Sequence, residues 1–397
     1  MGYSSILFVS LVKGFYCSRW AFLIGEESLI MCLVVPLVLL TCRFAVREIF
    51  TEAFWTSFLF LFFLSSIVFL SHWLLFFLVS AEICSIIISV YILCFSKGPD
   101  KVHSLFLMLI CNFGGSLPFL AIACLAMFDV CSFNSLDFLQ SSFLFLCFFG
   151  MLASKVPLVV FHFWLLKAHV RASGVCSMIL ASLIIKIGGI GILNYSWIFD
   201  SSCKAISFWL VLGRLRLFIF SLFIFRCTDL KNLVAASSIL HMRLVAPLFL
   251  LNSSISVLGS LLMISGHGLI SCYLFYLVRV LYESRHSRRL DNLKMIECFN
   301  ALVIFYFCAF LLINLGFPPF VLFFSELFSY LSIYLFSRFC LVISLTSFFV
   351  SFFYFVFTVG KLIFGTSGNK FYNFGVFGVL CFSAPYLFFC LSLRILI

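Results

Sequence analysis

The sequence predicts an all-α polytopic membrane protein, and composition, run length and charge each support that class. The chain has 397 residues, of which 64% are hydrophobic and only 10% are charged, a balance outside that of soluble globular domains. A membrane-spanning helix needs about 20 mainly apolar residues, and apolar runs of about that length alternate with short polar breaks. A membrane β-barrel would instead show short segments of alternating hydrophobicity. We therefore expect a bundle of transmembrane helices.

The apolar runs predict about thirteen spans within one membrane domain that covers residues 1–397. We place them at residues 20–42, 53–70, 71–95, 104–127, 138–158, 173–193, 206–225, 232–250, 255–280, 298–314, 318–337, 339–364 and 375–396. The run from Ala53 to Phe95 is long enough for two spans, and we place its turn at Ser71-His72.

Short polar breaks mark the ends of these spans. Thr228 or Asp229 is suited to cap the helix that follows it. The segment from Glu283 to Lys294 is the most basic loop, and the positive-inside rule places it on the negative side of the membrane. Pro318-Pro319 falls within an apolar run just before Glu326, which predicts either an interrupted helix or a simple kink there.

Composition also limits the chemistry of the chain. The 18 cysteines show no CxxC pair or Cys/His cluster with zinc spacing, so we interpret them as small apolar fillers and expect no metal site. No flavin, dinucleotide or cluster-binding fingerprint occurs. The net charge of +11 relates first to membrane orientation and anionic lipid, and we expect no nucleic-acid partner.

Four ionisable residues within apolar runs are the best indication of function. They are Glu82, Lys155, Lys186 and Glu326. A lysine in hydrocarbon costs roughly 2.5 to 3.5 kcal/mol on insertion scales, so such residues usually mark an ion path, a proton relay or a buried partner. Two acids and two bases in separate helices predict a relay, and static ion pairing between helices is the alternative.

Histidines extend this set. His267 lies between two glycines in an apolar run, and His241 follows Ser237-Ser238 in another. Each is able to carry protons near neutral pH, and a hydrogen-bonded helix contact is an equal alternative for either one. For Lys167 we favour anchoring at the membrane interface, whereas the role of His162 stays open.

The motifs around these residues resemble a known family. Lys155-Val156-Pro157-Leu158, the segment from Phe163 to Val170, and Lys186-Ile187-Gly188-Gly189 resemble chain 4 of the proton-pumping NADH-ubiquinone oxidoreductase. Further matches are Pro99-Asp100-Lys101, Gly115-Ser116-Leu117-Pro118, Thr228-Asp229-Leu230-Lys231, His241-Met242, His267-Gly268-Leu269, Ser287-Arg288, Asn314, Pro318-Pro319 and Glu326-Leu327. The resemblance runs from about residue 70 to 335. Lys167-Ala168-His169 and His241 favour chain 4 over the related chains 2 and 5.

The resemblance implies an antiporter-like bundle of about 13 to 14 helices with two inverted repeats and broken helices. It divides the chain into a divergent, shortened N-terminal part (1–52), an antiporter-like core (53–335) and C-terminal helices (336–397). Glu82 and Lys155 would be the switch pair, Lys186 the central carrier and Glu326 the terminal exchanger, with His241 and His267 between them.

The resemblance also implies a cellular role. The chain would be a proton-translocating subunit of respiratory complex I in the mitochondrial inner membrane, part of an enzyme but without redox chemistry of its own. NADH, FMN, iron-sulfur clusters and ubiquinone would be bound by partner subunits. Chain 2-like and chain 5-like neighbours, accessory subunits and lipids including cardiolipin are the expected partners. The alternatives are a stand-alone cation/proton antiporter component and a non-pumping structural subunit.

Several residues depart from the family pattern. Arg171 stands where a glutamate usually follows Lys-Ala-His-Val, and Leu166 replaces a proline. Arg214, Arg216 and Arg243 add positive charge close to membrane depth, where they either snorkel to an interface or pair with another subunit. The region before Glu82 is shorter than in the family, and we expect one peripheral helix to be missing.

Overall fold

The computed structural model describes most of the membrane core of the chain. It covers residues 26–45, 52–71, 74–96, 100–128, 147, 150–151, 153–156, 163–194, 203–251, 253–285, 287–290 and 301–364. Across these ranges the regular structure is helical, and a single isolated β-bridge joins Asp229 to Arg289. The expected spans at 138–158 and 375–396 lie largely or wholly outside the described residues, as does His162.

Twelve helices are labelled here in chain order over the described residues. The first four are α1 (Glu26–Ala45), α2 (Glu52–Leu70), α3 (Leu74–Phe95) and α4 (Lys101–Phe128). The next four are α5 (Phe163–Arg171), α6 (Gly174–Asn194), α7 (Cys203–Ile224) and α8 (Leu230–Leu251). The last four are α9 (Ser254–Arg285), α10 (Ala301–Asn314), α11 (Val321–Phe336) and α12 (Arg338–Phe364).

Five helices in the described part are long and apolar enough to cross a membrane. They cover Leu74–Phe95, Lys101–Ala121, Gly174–Asn194, Ser254–Glu283 and Arg338–Gly360. Observed and expected helix bounds agree to within a few residues wherever both are described. The turn expected at Ser71-His72 is also present, because α2 ends at Leu70 and α3 begins at Leu74.

Helices α6 and α9 form the centre of the bundle. Both are buried along their whole apolar length, and α9 packs against α1, α6, α8, α10 and α11. One cluster of buried apolar side chains extends from Met31 on α1 to Leu362 on α12. Because α6 carries Lys186 and α9 carries His267, the two most enclosed helices hold charged or polar side chains in the interior.

Helix α6 is irregular just before its lysine. Residues Leu180–Ile184 form a π-helical turn, after which α-helix resumes at Ile185. A π-helical turn is rare and frequently accompanies a functional site, since its extra residue rotates the side chains that follow it. The turn therefore sets the direction in which Lys186 leaves the helix.

Two short breaks interrupt the helices near the charged residues. Ala172 and Ser173 separate α5 from α6, and Ser173 Oγ accepts a hydrogen bond from the N–H of Cys176 at the start of α6. Residues 315–320 separate α10 from α11, so the helix is interrupted at the prolines 318 and 319, which is one of the alternatives left open by the sequence. Irregular backbone at membrane depth is tolerated where protein surrounds it or where it lines a polar cavity.

Cations cap the carboxyl end of α5. Arg288 Nη1 donates to the carbonyl of Val170 at 2.9 Å, and Lys231 Nζ donates to the carbonyl of Ala172 at 2.5 Å. The last carbonyls of a helix lack partners within it, and positive charge is favourable at that end. These two contacts therefore hold the break between α5 and α6 in place.

Candidate functional site

Glu82 and Lys155 form a buried ion pair. Lys155 Nζ lies 2.7 Å from Oε1 of Glu82, and both side chains are almost fully enclosed. Ser85, one turn along α3, donates to the second carboxylate oxygen of Glu82 at 3.3 Å. A buried carboxylate and amine tolerate low dielectric when they are paired and hydrogen-bonded. The structure thus brings together the two residues expected to form a switch pair, while their role stays a prediction.

A glycine allows α6 to approach this pair closely. A Cβ on Gly188 would lie 2.9 Å from Cβ of Lys155 and 2.9 Å from the backbone nitrogen of Val156. Because any larger residue would collide with backbone there, the close approach requires glycine at this position. Lys186, two residues earlier on α6, is thereby held next to the helical segment that carries Lys155. Among the described residues, no hydrogen bond joins the two lysines directly.

Lys186 is fully buried and contacts a histidine on α9. Its Nζ lies 2.8 Å from Nδ1 of His267 and 3.6 Å from the sulfur of Met242 on α8. A thioether is a weak acceptor that has no exchangeable proton, so only His267 is able to receive a proton from Lys186. In the tautomer with hydrogen on Nε2, Nδ1 is the acceptor for a protonated lysine.

His241 lies between His267 and Glu326. The rings of His241 and His267 have centroids 5.0 Å apart, and Nδ1 of His241 lies 3.6 Å from Oε1 of Glu326. The latter separation exceeds that of a direct hydrogen bond. A small movement or one bridging water is therefore needed for transfer to the carboxylate. These contacts bring four residues from four different helices into one row: Lys186, His267, His241 and Glu326.

A cavity lined by both polar and apolar residues lies at the Glu326 end of the row. Its volume is about 30 Å³, and a water needs roughly 10–15 Å³ on this measure, so the cavity has room for about two waters. The polar residues that line it are Ser237, His241, Asn314, Glu326, Tyr330, Ser347 and Ser351. It supplies the hydrogen-bonding groups that a water next to the carboxylate requires.

Gly316 in the break before α11 packs directly on the Glu326 carboxylate. Its φ is +72°, a left-handed conformation that side chains other than glycine rarely adopt. A Cβ at this position would lie 2.6 Å from Oε2 of Glu326. The break between the helices thus provides a left-handed turn. Because Gly316 has no Cβ, it also leaves the space that the Glu326 carboxylate occupies.

The arrangement is chemically suited to moving protons. Each member of the row from Lys186 to Glu326 has a protonated and a neutral form, and neighbours are close enough for the charge on one to affect the next. A change in the protonation of Glu82 or Lys155 would likewise change the electrostatic field at Lys186. The six residues proposed from the sequence therefore occur as one ion pair and one row of four.

Three residues of the site were missed or undervalued in the sequence. Met242 contacts Lys186, while Asn314 and Tyr330 line the cavity beside Glu326. Tyr330 could have been found from helical spacing, because it follows Glu326 by four residues and so shares its face. Asn314 occurs among the family motifs, but nothing local in the sequence places it near the carboxylate across a helix break.

The residues that depart from the family pattern lie elsewhere. Arg171 forms an ion pair with Asp100, with Nη2 2.5 Å from Oδ2, and both side chains are about half exposed. Arg243 Nη1 donates to the carbonyl of Arg216 at 3.2 Å, and its guanidinium stacks over Phe220. Arg214 is buried. None of the four arginines contacts the row from Lys186 to Glu326 directly within the described residues.

The fold and these motifs agree with known proteins. A family model described as "NADH:quinone oxidoreductase/Mrp antiporter, TM" matches residues 70–354. The NADH-ubiquinone oxidoreductase chain 4 of Rhipicephalus sanguineus is 34% identical over 240 residues, 58% of this chain and 53% of the relative. That of Lumbricus terrestris is 28% identical over 340 residues, 82% of this chain and 74% of the relative. The resemblance seen in the motifs is confirmed.

These alignments are partial. The chain spans 53%, 46% and 40% of three curated relatives, or about half of their length. The region matched by the family model, residues 70–354, contains the ion pair, the row of four and both helix breaks. What the relatives' names state is said of those longer proteins.

Solved structures show the same fold over nearly the whole chain. A chain from respiratory complex I of Thermus thermophilus with bound NADH superimposes with a TM-score of 0.84 at 21% identity, covering 94% of this chain and 81% of that chain. A chain of the Mrp complex from a Dietzia species gives a TM-score of 0.77 at 18% identity, covering 92% and 73%. The predicted antiporter-like membrane fold is confirmed.

Proposed function

Because this chain belongs to the NADH:quinone oxidoreductase/Mrp antiporter membrane family, we propose that it is a proton-translocating membrane-arm subunit of respiratory complex I. One observation carries the proposal: a buried row of titratable groups, Lys186, His267, His241 and Glu326, lies beside a buried ion pair. Intramembrane ionisable residues are costly, and their usual use is an ion or proton path.

The ion pair of Glu82 and Lys155 acts as an electrostatic switch. When the pair is closed, its two charges largely cancel in the field that they exert on Lys186. Opening the pair or adding a proton to Glu82 leaves the positive charge of Lys155 uncompensated next to α6. A like charge disfavours the protonated form of a neighbouring lysine, so Lys186 then releases its proton.

His267 is the acceptor of that proton. Lys186 Nζ donates to Nδ1 of His267, and the resulting imidazolium releases the proton on its Nε2. Nε2 of His267 hydrogen-bonds to no described residue, so it is available for the next carrier. His241 then passes a proton from Nδ1 to Oε1 of Glu326 across the 3.6 Å gap, directly after a small movement or through one water. After the transfer, the hydrogen of neutral His267 is on Nδ1 and Lys186 is neutral. A tautomer exchange or ring flip of His267 and a new proton on Lys186 therefore precede the next cycle.

The chain transfers protons as part of a larger enzyme. Electron transfer from NADH to ubiquinone takes place in partner subunits, which bind FMN, iron-sulfur clusters, NADH and quinone. Energy from that reaction changes the electrostatics along a row of antiporter-like subunits, with chain 2-like and chain 5-like neighbours beside this one. The motifs that resemble mitochondrially encoded subunits support a location in the mitochondrial inner membrane, with lipids including cardiolipin around the exposed helices.

A cation/proton antiporter component is the second candidate. The likeness to the Dietzia Mrp chain favours it, because the same bundle and a buried relay would serve ion exchange without a redox enzyme. The identities of 28–34% to chain 4 proteins, against 18% to the Dietzia chain, favour the respiratory complex. A non-pumping structural role predicts that the relay residues are dispensable.

Purification of the native assembly distinguishes these candidates. Membranes of the source organism are solubilised mildly, the chain is isolated with its partners, and flavin and iron-sulfur content are measured together with NADH:quinone reductase activity. Co-purification of all three with the chain supports the respiratory role. An assembly without flavin that exchanges cations for protons in vesicles would establish the antiporter role instead.

A further inference from the structure

Arg214 is an unusual residue for the interior of this bundle. It lies in the middle of α7, its exposed fraction is 1%, and its Nη1 and Nη2 atoms hydrogen-bond to no described residue. A guanidinium carries five donors and stays charged, so a buried one without partners is costly. An intramembrane charge of this kind is by default a functional residue.

The neighbouring Arg243 shows what a purely structural arginine looks like here. Its guanidinium donates to the carbonyl of Arg216 and stacks over the ring of Phe220, 4.3 Å from the centroid. Both contacts offset the cost of burial. Arg214 has the same charge and similar burial but neither kind of contact, so helix packing alone does not explain it.

Packing places Arg214 beside the end of α11. Val211, one turn before Arg214 on α7, packs against a small core of Leu248, Ile333 and Cys340. Tyr330 packs against the same small core, so Arg214 lies one turn from a residue that shares a contact with Tyr330. The guanidinium of Arg214 therefore lies near the C-terminal ends of α8 and α11 and the N-terminal end of α12.

This position lies between Glu326 and one end of the bundle. On α11, Tyr330 follows Glu326 by one turn and Ile333 follows it by about two. At 1.5 Å per residue, Ile333 is about 10 Å along the helix from the carboxylate. Helix α11 ends three residues later, at Phe336. Tyr330 lines the Glu326 cavity and packs against the same small core as Val211, one turn from Arg214, so it connects the two.

Buried serines follow Glu326 on α11 and also lie on α12. Ser329 and Ser332 on α11, and Ser344 and Ser347 on α12, are buried. Each hydroxyl donates to a carbonyl of its own helix. Because these donors are occupied, the hydroxyl oxygens can only accept further hydrogen bonds. Ser347 lines the Glu326 cavity, where an accepting oxygen favours a cationic donor such as a hydrated proton.

We propose that Arg214 and Tyr330 form a gate between the Glu326 cavity and the end of the bundle at which α11 terminates. The fixed positive charge of Arg214 opposes the entry of protons and other cations from that end. Tyr330 separates the charge from Glu326, so that the carboxylate exchanges protons only through this residue or through water beside it. The gate rests on the proposed proton-transfer function and adds a residue that prevents leakage when the enzyme is idle.

Passive proton permeability tests the gate. The whole complex carrying Arg214→Met is reconstituted in liposomes without substrates, a pH step is imposed, and the internal pH is followed with an entrapped dye. We expect proton entry several-fold faster than in the wild type. Arg216→Met, two residues away on the same helix and half-buried, is the matched control and should not change the rate. Arg214→Lys should retain the low rate, because it keeps the charge.

An Arg214→Met complex that is no leakier than the Arg216→Met control would overturn the gate. If that variant does not assemble, Arg214→Gln removes the charge while keeping hydrogen-bonding capacity, and the same comparison applies to it. The outcome is separate from that of the proposed function, since permeability is measured without turnover. A leaky Arg214 variant in a complex whose pumping does not depend on Lys186 would support the gate and reject the relay.

Discussion

Lys186 Nζ and His267 Nδ1 lie 2.8 Å apart at the centre of the bundle, on the two helices that are buried along their whole apolar length. At this distance the amine and the imidazole are hydrogen-bonded. No acidic side chain contacts Lys186 within the described residues, so its charge is not neutralised by a fixed partner. The contact therefore favours a mobile proton over a static ion pair.

Replacing His267 should interrupt proton transfer without disturbing packing. His267→Phe keeps an aromatic ring of similar size but removes both ring nitrogens, and a positioned proton-transfer group contributes about 10²- to 10⁴-fold to the rate of its step. We expect fewer protons pumped per electron in reconstituted complex, measured with a pH dye during NADH oxidation. Met242→Leu removes the other contact of Lys186 with little change in volume and should leave that ratio unchanged. Equal loss in both variants would indicate packing instead of proton transfer.

Gly316→Ala should disturb the Glu326 carboxylate. A left-handed conformation at a residue other than glycine costs about 1–3 kcal/mol, and the added Cβ would collide with Oε2 of Glu326. We expect lower coupled quinone-reductase activity and a lower melting temperature of the assembled complex. The control is Gly360→Ala on α12, where nothing lies within 4 Å of the added Cβ. A Gly316 variant that behaves like the Gly360 variant would mean that the turn tolerates a side chain.

A double-mutant cycle tests the coupling of Glu82 and Lys155. Removing one partner of a buried ion pair typically costs about 3–5 kcal/mol, because the other charge stays buried and unpaired. Glu82→Gln and Lys155→Met should therefore each lower complex assembly, measured as the amount of intact complex on native gels. The double variant should assemble better than either single variant. Additive losses would show that the 2.7 Å contact contributes no coupling energy.

The ion pair of Arg171 and Asp100 should contribute little to stability. Exposed pairs of this kind are typically worth about 0–1 kcal/mol and weaken with salt. Arg171→Glu restores the residue usual in the family but places it beside Asp100, so a small drop in melting temperature is expected at low ionic strength and none at high. Adding Asp100→Arg should reverse the drop. A large, salt-independent loss would instead indicate that Arg171 contacts another subunit.

The sequence alone predicted the helices and singled out the six buried titratable residues, for clear physical reasons, while their role in a relay stays a prediction. Long apolar runs fix membrane spans because each must satisfy its own backbone hydrogen bonds. Charged residues within such runs are too costly to be accidental. The interruption at Pro318-Pro319 was also predictable, since proline lacks the N–H that a continuing helix requires.

Contacts across the bundle could not be predicted in the same way. The 2.8 Å contact between Lys186 and His267 depends on a π-helical turn at Leu180–Ile184, and nothing in the local sequence requires that turn. The position of Arg214 beside Tyr330 depends on how α7, α11 and α12 pack together, and the pairing of Arg171 with Asp100 joins distant segments. Such features follow from tertiary packing, which hydropathy does not encode.

The number of protons pumped per electron in a Lys186→Met complex tests the central claim most directly. Methionine fills similar space without a charge or an exchangeable proton, and Lys167→Met, at an exposed position, is the control. Both complexes are reconstituted in liposomes and driven with NADH and quinone. The relay predicts a lower ratio for Lys186→Met and an unchanged ratio for Lys167→Met. A fully assembled Lys186→Met complex with the wild-type ratio would contradict proton transfer through this chain.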